Sequence, residues 1–176
     1  WSKQHTGNPY PTHGLGPVCQ YMDINRGDCF EFLTSVSSNQ LGISRAAAEK
    51  YGKNSPQAKA RYRLGDMNSS LIRTYRGRTI LVQHDTTSPR PYSRINLISG
   101  TRGVLADYPL RVALAPDTHA WMKESELEAL KAKYVHPLWD KNGEAAKKAG
   151  GHGGMDFLMD LRLCHCLQHG LPLDID

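Results

Sequence analysis

The stretch that decides the fold is residues 67–85, MNSSLIRTYRGRTILVQHD. Its two halves, Met67–Thr74 and Thr79–Asp85, are rich in β-branched and aliphatic residues and flank the turn segment 75–78, Tyr-Arg-Gly-Arg. Two such runs joined by a short glycine-containing turn are typical of a β-hairpin, because glycine adopts the positive φ that tight turns need. The sequence therefore predicts two antiparallel strands here.

Further elements are predicted on both sides of this hairpin. The predicted strands are Cys29–Ser38, Arg94–Ser99, a partner beginning at Val104 and Leu105, and Leu110–Leu114. The predicted helices are Leu15–Ile24, Lys123–Tyr134 and Met155–His169, whereas residues 42–62 form a polar excursion with one helical turn. Strands flanked by helices at both ends predict an α+β fold: an open, mainly antiparallel β-sheet with helices packed on one face.

Composition limits the classes of function. The chain has 176 residues, 39% of them hydrophobic, which is enough to bury a real core. Its net charge of +5 is scattered, and the densest basic stretch, Arg61–Arg78, lacks the tight basic stripe of a nucleic-acid surface. No apolar run approaches the ~20 residues of a membrane-spanning helix. We expect no nucleic-acid partner and no membrane span, and the start at Trp1 indicates a piece of a longer protein.

The cysteines predict neither a metal site nor a disulfide framework. Cys164 and Cys166 lie beside His165 and His169, and thiolates and imidazoles are zinc ligands. The Cys-x-Cys spacing differs from the usual zinc spacings and falls within an apolar helical run. We therefore interpret both cysteines as small core residues.

Residues 8–16, NPYPTHGLG, place a phenol (Tyr10) and an imidazole (His13) three residues apart at the start of a predicted helix. Pro9 and Pro11 restrict the backbone, and Thr12 is positioned to cap the turn that follows. Two proton-moving groups on stiff backbone suit acid–base chemistry on a small polar substrate. The alternative is a proline-rich loop with a buried tyrosine and a capping threonine.

Four motifs in this order carry a resemblance to a known family. They are NPYPTHGLGPV (8–18), GDMN (65–68), QHDTTSPRPYSR (83–94) and GHGGMDF (151–157). Together they resemble the C-terminal half of glycoside hydrolase family 109, which contains NAD-dependent N-acetylhexosaminidases best known as α-N-acetylgalactosaminidases. The resemblance implies the fold of the glucose-fructose oxidoreductase superfamily. Residues 1–176 are then a single C-terminal substrate-binding and oligomerisation domain, and the N-terminal Rossmann domain that binds NAD is absent from this chain.

The family's chemistry departs from the usual pair of carboxylates. It implies transient oxidation at C3 of the sugar, loss of the C2 proton with expulsion of the glycosidic oxygen, addition of water, and return of hydride with retention of configuration. The implied catalytic residues are His13, Tyr10 and Tyr92. These three, with Arg90 and His152, are the implied substrate-binding residues, and no residue of this chain is assigned to the cofactor. Asp66 and Asn68 are expected to serve a turn, and Arg90 either holds substrate or pins its loop to a carboxylate.

The expected partner is a glycan with a terminal N-acetylhexosamine, and we expect a homodimer formed through the sheet. Without bound NAD we expect these residues alone to be inactive. The parent protein is expected to be periplasmic or exported in a bacterium. Two other functions stay open: the substrate domain of an NAD(P)-dependent sugar dehydrogenase, and a non-catalytic dimerisation module.

Overall fold

A computed structural model describes residues 1–85, 87–116 and 119–174, so Thr86 of the third motif lies outside the described residues. The chain divides into two compact units, Trp1–Tyr92 and Ser93–Asp176. The first contains α1 (Thr12–Tyr21), β1 (Phe30–Ser37), α2 (Gly42–Tyr51), α3 (Pro56–Lys59), β2 (Met67–Thr74) and β3 (Thr79–Asp85). The second contains β4 (Asn96–Gly100), β5 (Gly103–Asp107), β6 (Arg111–Leu114), α4 (Glu124–Lys133), α5 (Pro137–Ala149), a 3₁₀ turn (His152–Gly154) and α6 (Met155–His169).

The first unit is built on an antiparallel sheet of order β1-β2-β3. The predicted hairpin is confirmed with the predicted bounds, and Leu71 pairs with Leu81 across it. Alternation along the strands places Ile72, Ile80 and Val82 on the buried face. Burying an aliphatic side chain of this size contributes about 1.5–3 kcal/mol.

One helix, α1, covers that buried face. Its residues Leu15, Val18 and Met22 pack against the buried strand residues, at the three-to-four-residue spacing of one helix face. Gly14 also lies close to the sheet, because a Cβ built there would be 3.5 Å from Val82. The packing fixes the start of α1 against β3.

The opposite face of this sheet carries exposed apolar side chains. Thr34 pairs with Leu71, so β1 side chains in that register share the face with the β2 and β3 residues. Its exposed apolar residues are Phe32, Val36, Leu71 and Leu81. We call these four residues the open sheet face.

The predicted cap of α1 and the predicted helix content of residues 42–62 are wrong. Thr12 does not cap α1; it is the first residue of the helix, after Pro11 at the N-cap, and no side chain caps that end. Residues 42–62 contain two helices, α2 and α3, not one helical turn. The carboxylate of Asp66 accepts hydrogen bonds from the N–H of Leu41 (2.6 Å) and Gly42 (2.8 Å) at the start of α2. That cap comes from a distant residue, so the local sequence did not reveal it.

The second unit holds a separate antiparallel sheet of order β4-β5-β6. Ala106, Val112 and Ala113 are its buried strand residues. Gly154 brings α5 close to the start of α6: a Cβ at this position would lie 2.7–2.9 Å from atoms of the buried residue Ala146. The α+β class is confirmed, with the strands divided between two three-stranded sheets. In the described part of the chain, no helix has the length and apolar character to span a membrane.

Candidate functional site

The structure brings Tyr10 and His13 together at the start of α1. Their ring centroids are 4.9 Å apart, with the ring planes tilted by 55°. The N–H of Tyr10 donates a 2.9 Å hydrogen bond to Oδ1 of Asn8, which forms a tight turn before the helix. With Pro9 and Pro11 on either side, this turn fixes the backbone that carries the phenol.

Helix geometry directs the imidazole away from the core. His13 precedes Leu15 by two residues, which is a rotation of about 200° around the helix. Leu15 faces the sheet, so His13 lies on the outer side of α1, and the side chain is exposed. Tyr10 is also exposed, at 61%, so the interpretation as a buried tyrosine is wrong. Both polar groups are accessible to a substrate.

Arg90 pairs with Asp85 at the end of β3. The guanidinium Nε is 3.2 Å from Oδ2 of Asp85, whose side chain is 3% exposed. Oδ1 of the same carboxylate accepts the N–H of Thr87 and Ser88. Burial raises the pKa of Asp85, but the Ser88 hydroxyl, these two N–H groups and Arg90 outweigh it and lower the pKa overall. Of the two expected roles for Arg90, the structure shows the one that pins the loop.

Tyr92 follows this loop and is 75% exposed. It belongs to the first unit, as do Tyr10, His13 and Arg90. Among these predicted site residues, Tyr10 and His13 are in contact with each other.

His152 belongs to the second unit and is paired with Asp156, a residue that the sequence analysis did not single out. Nδ1 of His152 lies 3.0 Å from both carboxylate oxygens of Asp156. Its backbone φ is +46°, which is unusual for a residue with a side chain. The i,i+4 spacing within GHGGMD was the signal for this pair.

Asp66 and Asn68 serve the structure. Asp66 caps α2, and Asn68 is 2% exposed. The Asn68 amide donates to Ser35 Oγ at 2.9 Å and to Ser37 Oγ at 3.0 Å, and so ties β2 to β1. Both residues were expected to serve a turn, but Asn68 lies within β2 and Asp66 caps a helix that is distant in sequence.

An open cavity of about 630 Å³ in the first unit is lined by other residues: 38–40, 44 and 58–63. None of the predicted site residues lines it. In the described ranges, no group of three or more His, Cys, Asp or Glu side chains is arranged to hold a metal ion. Cys166 is buried as predicted, but Cys164 is exposed, so its interpretation as a core residue is wrong.

Comparison with known proteins gives consistent matches over the whole chain. A family model described as "Glycosyl hydrolase 109, C-terminal domain" matches residues 1–176. A glycosyl hydrolase family 109 protein of Shewanella amazonensis is 54% identical over 98% of this chain and 38% of its own length. A protein of Shewanella oneidensis named alpha-N-acetylgalactosaminidase is 50% identical over 100% of this chain and 39% of its own length. The chain thus spans about two fifths of the length of these curated relatives.

Proposed function

Because this chain belongs to glycosyl hydrolase family 109, as its C-terminal domain, we propose that it is the substrate-binding half of a retaining, NAD-dependent α-N-acetylgalactosaminidase. The contact between Tyr10 and His13 carries the proposal. It supplies a phenol and an imidazole on restricted backbone, which is the donor set that proton transfer at a sugar hydroxyl needs. The name of the Shewanella oneidensis relative supports the choice of sugar.

Each of the three proposed catalytic residues has a role in this scheme. His13 accepts the proton of the C3 hydroxyl as that carbon is oxidised. Tyr10 and Tyr92 hydrogen-bond the sugar and move protons at C2 and at the leaving oxygen. Tyr10 and His13 are both exposed, which leaves room for a sugar ring at the start of α1. Arg90 and His152 are also proposed to bind substrate. In Arg90, Nε stays bonded to Asp85. In His152, the hydrogen bond with Asp156 orients the ring.

The donor set of this chain fits the cofactor that the family implies. A neutral imidazole beside a phenol suits removal of a hydroxyl proton during oxidation of the same carbon. When bound, NAD supplies reversible oxidation at C3. No residue of this chain is assigned to hold it, and we propose that the dinucleotide is bound outside these 176 residues.

The cofactor balance tests this function against the sugar dehydrogenase alternative. The full-length enzyme is mixed with NAD and a chromogenic α-N-acetylgalactosaminide, and both chromophore release and absorbance at the NADH band are followed. The glycosidase should release chromophore over many turnovers with no net NADH. Accumulation of NADH in proportion to product would identify a dehydrogenase instead.

We also propose that the protein forms a homodimer through the open sheet face. Phe32, Val36, Leu71 and Leu81 are 45–70% exposed and lie on one side of three adjacent strands. Contiguous exposed apolar side chains of this kind mark association surfaces. A second copy would cover them.

A further inference from the structure

Two histidines near the end of α6 take no part in the proposed function. His165 and His169 are four residues apart, so they lie on the same face of the helix one turn apart. Both are exposed, and their ring centroids are 4.4 Å apart with the planes tilted by 34°. The two imidazoles are therefore close enough for one ion to reach both.

A hydrogen bond to the backbone fixes the tautomer of one of the two rings. Nδ1 of His169 lies 2.9 Å from the carbonyl oxygen of His165. A carbonyl oxygen only accepts hydrogen bonds, so Nδ1 carries the proton. In the neutral ring, Nε2 then keeps its lone pair, which is available to bind a metal ion.

We propose that His165 and His169 form a surface site for a divalent first-row transition metal ion, bound by two imidazoles and completed by water. Imidazole suits copper, nickel and zinc, and the general order of affinities places Cu²⁺ above Zn²⁺. Neither nearby cysteine is a proposed ligand of this ion. Cys166 is buried, and Cys164 is exposed but is not needed for binding by the two histidines. The proposal does not depend on the glycosidase function.

Nearby charges set the strength of the site. His165 lines a cavity of about 280 Å³ together with Lys141 and Arg162, whose positive charges oppose a cation. Arg162 is engaged by Asp174 through hydrogen bonds of 2.7 and 2.9 Å, which offsets one of these charges. With only two protein ligands, the remaining coordination positions are open to water and the ion exchanges readily, unlike the ion in a structural zinc site with four protein ligands.

The test is a titration of the untagged full-length protein with Cu²⁺. Binding is measured by calorimetry, and the copper ligands are identified by electron paramagnetic resonance. The second imidazole acts at high effective concentration once the first has bound. His165→Gln and His169→Gln should therefore each weaken this site by roughly 100-fold. The resonance spectrum of the parent should show two coordinated nitrogens and that of each variant one. His5→Gln, at an exposed histidine elsewhere, should change neither readout.

A rearranged variant controls for the number of histidines. His169→Gln combined with Leu167→His keeps the count but moves the second ring about 200° around the helix. Leu167 is 68% exposed, so the change should leave the fold intact. This variant should bind Cu²⁺ as weakly as His169→Gln alone. Binding as tight as that of the parent, or loss of binding in Cys164→Ser, would overturn the proposed pair.

Discussion

The phenol ring of Tyr10 lies against the imidazole of His13, with 4.9 Å between the ring centroids. Tyr10 stands in the proline-flanked turn before α1, and His13 stands in the first turn of the helix. The opposite side of the helix packs on the sheet through apolar side chains, and this packing fixes the position of the backbone that carries His13.

Replacing His13 should remove catalysis without unfolding the domain. Because the side chain is exposed and lies opposite the packed face of α1, His13→Asn should leave the melting temperature nearly unchanged. Loss of a general base typically lowers the rate by roughly 10²–10⁴-fold, so kcat of the full-length enzyme should fall by that factor. His5→Asn is the matched control and should keep full activity. Unchanged turnover in His13→Asn would refute the role assigned to this residue.

Gly154 should be intolerant of a side chain. An added Cβ would meet Ala146 at 2.7–2.9 Å, and the φ of +100° strains any other residue. Gly153 also has positive φ, +70°, but no atom lies within 4 Å of an added Cβ. Both alanine variants should carry the backbone cost, and Gly154→Ala should lose about 1–3 kcal/mol more in free energy of unfolding. Equal values in urea titrations of the two variants would show that α5 and α6 do not pack through Gly154.

Asp28 should make folding sensitive to acid. Burial raises the pKa of this carboxyl, but hydrogen bonds from Thr74, Arg76 and Cys29 and the charge of Arg78 lower it overall. A carboxyl whose pKa is lower in the folded state stabilises the fold above its unfolded pKa of about 3.9. That contribution is lost as the pH falls from there through the folded pKa.

Melting temperatures measured between pH 6 and pH 2.5 check this linkage. The parent should lose more stability on acidification than Asp28→Asn, which has no charge to lose at this position. Asp23→Asn, at an exposed neighbour, should follow the parent curve. Parallel curves for the parent and Asp28→Asn would contradict the assignment.

A charge on the open sheet face should disrupt the proposed dimer. Leu81 is 64% exposed on that face, on the edge strand β3, and a lysine there would be buried without a partner on association. Leu81→Lys should sediment as a monomer at concentrations where the parent is dimeric. Leu33→Lys places the same charge on a residue that is 57% exposed on the other side of the sheet. An unchanged sedimentation coefficient in Leu81→Lys would exclude this face.

Local patterns predicted the elements whose formation depends on local interactions. The hairpin of β2 and β3 and the helix α6 have the predicted bounds, because turn residues and apolar content mark them directly. The helix α1 begins at Thr12, three residues before the predicted start at Leu15. The turn made by Asn8 and Tyr10, which the spacing did not reveal, leads the chain into that helix.

Two helices and one side-chain contact of the structure were not predicted from the sequence. The start of α2 depends on Asp66, which is 24 residues away from Gly42, so the polar stretch before the hairpin predicted one helical turn and not two helices. The helix α5 was not predicted at all; it begins with Pro137, and the side chain of His136 caps it. For the site, spacing predicted the pair Tyr10 and His13; the i,i+4 spacing of His152 and Asp156 was also present in the sequence, but their pairing was not predicted.

The most direct test of the account is the fate of the C2 proton of the sugar. The full-length enzyme is allowed to cleave an α-N-acetylgalactosaminide in D₂O, and the released sugar is analysed by proton magnetic resonance. Elimination and addition at C1 and C2 should place deuterium at C2, and His13→Asn should release this product roughly 10²–10⁴-fold more slowly. Release of N-acetylgalactosamine that retains protium at C2 would contradict the proposed mechanism.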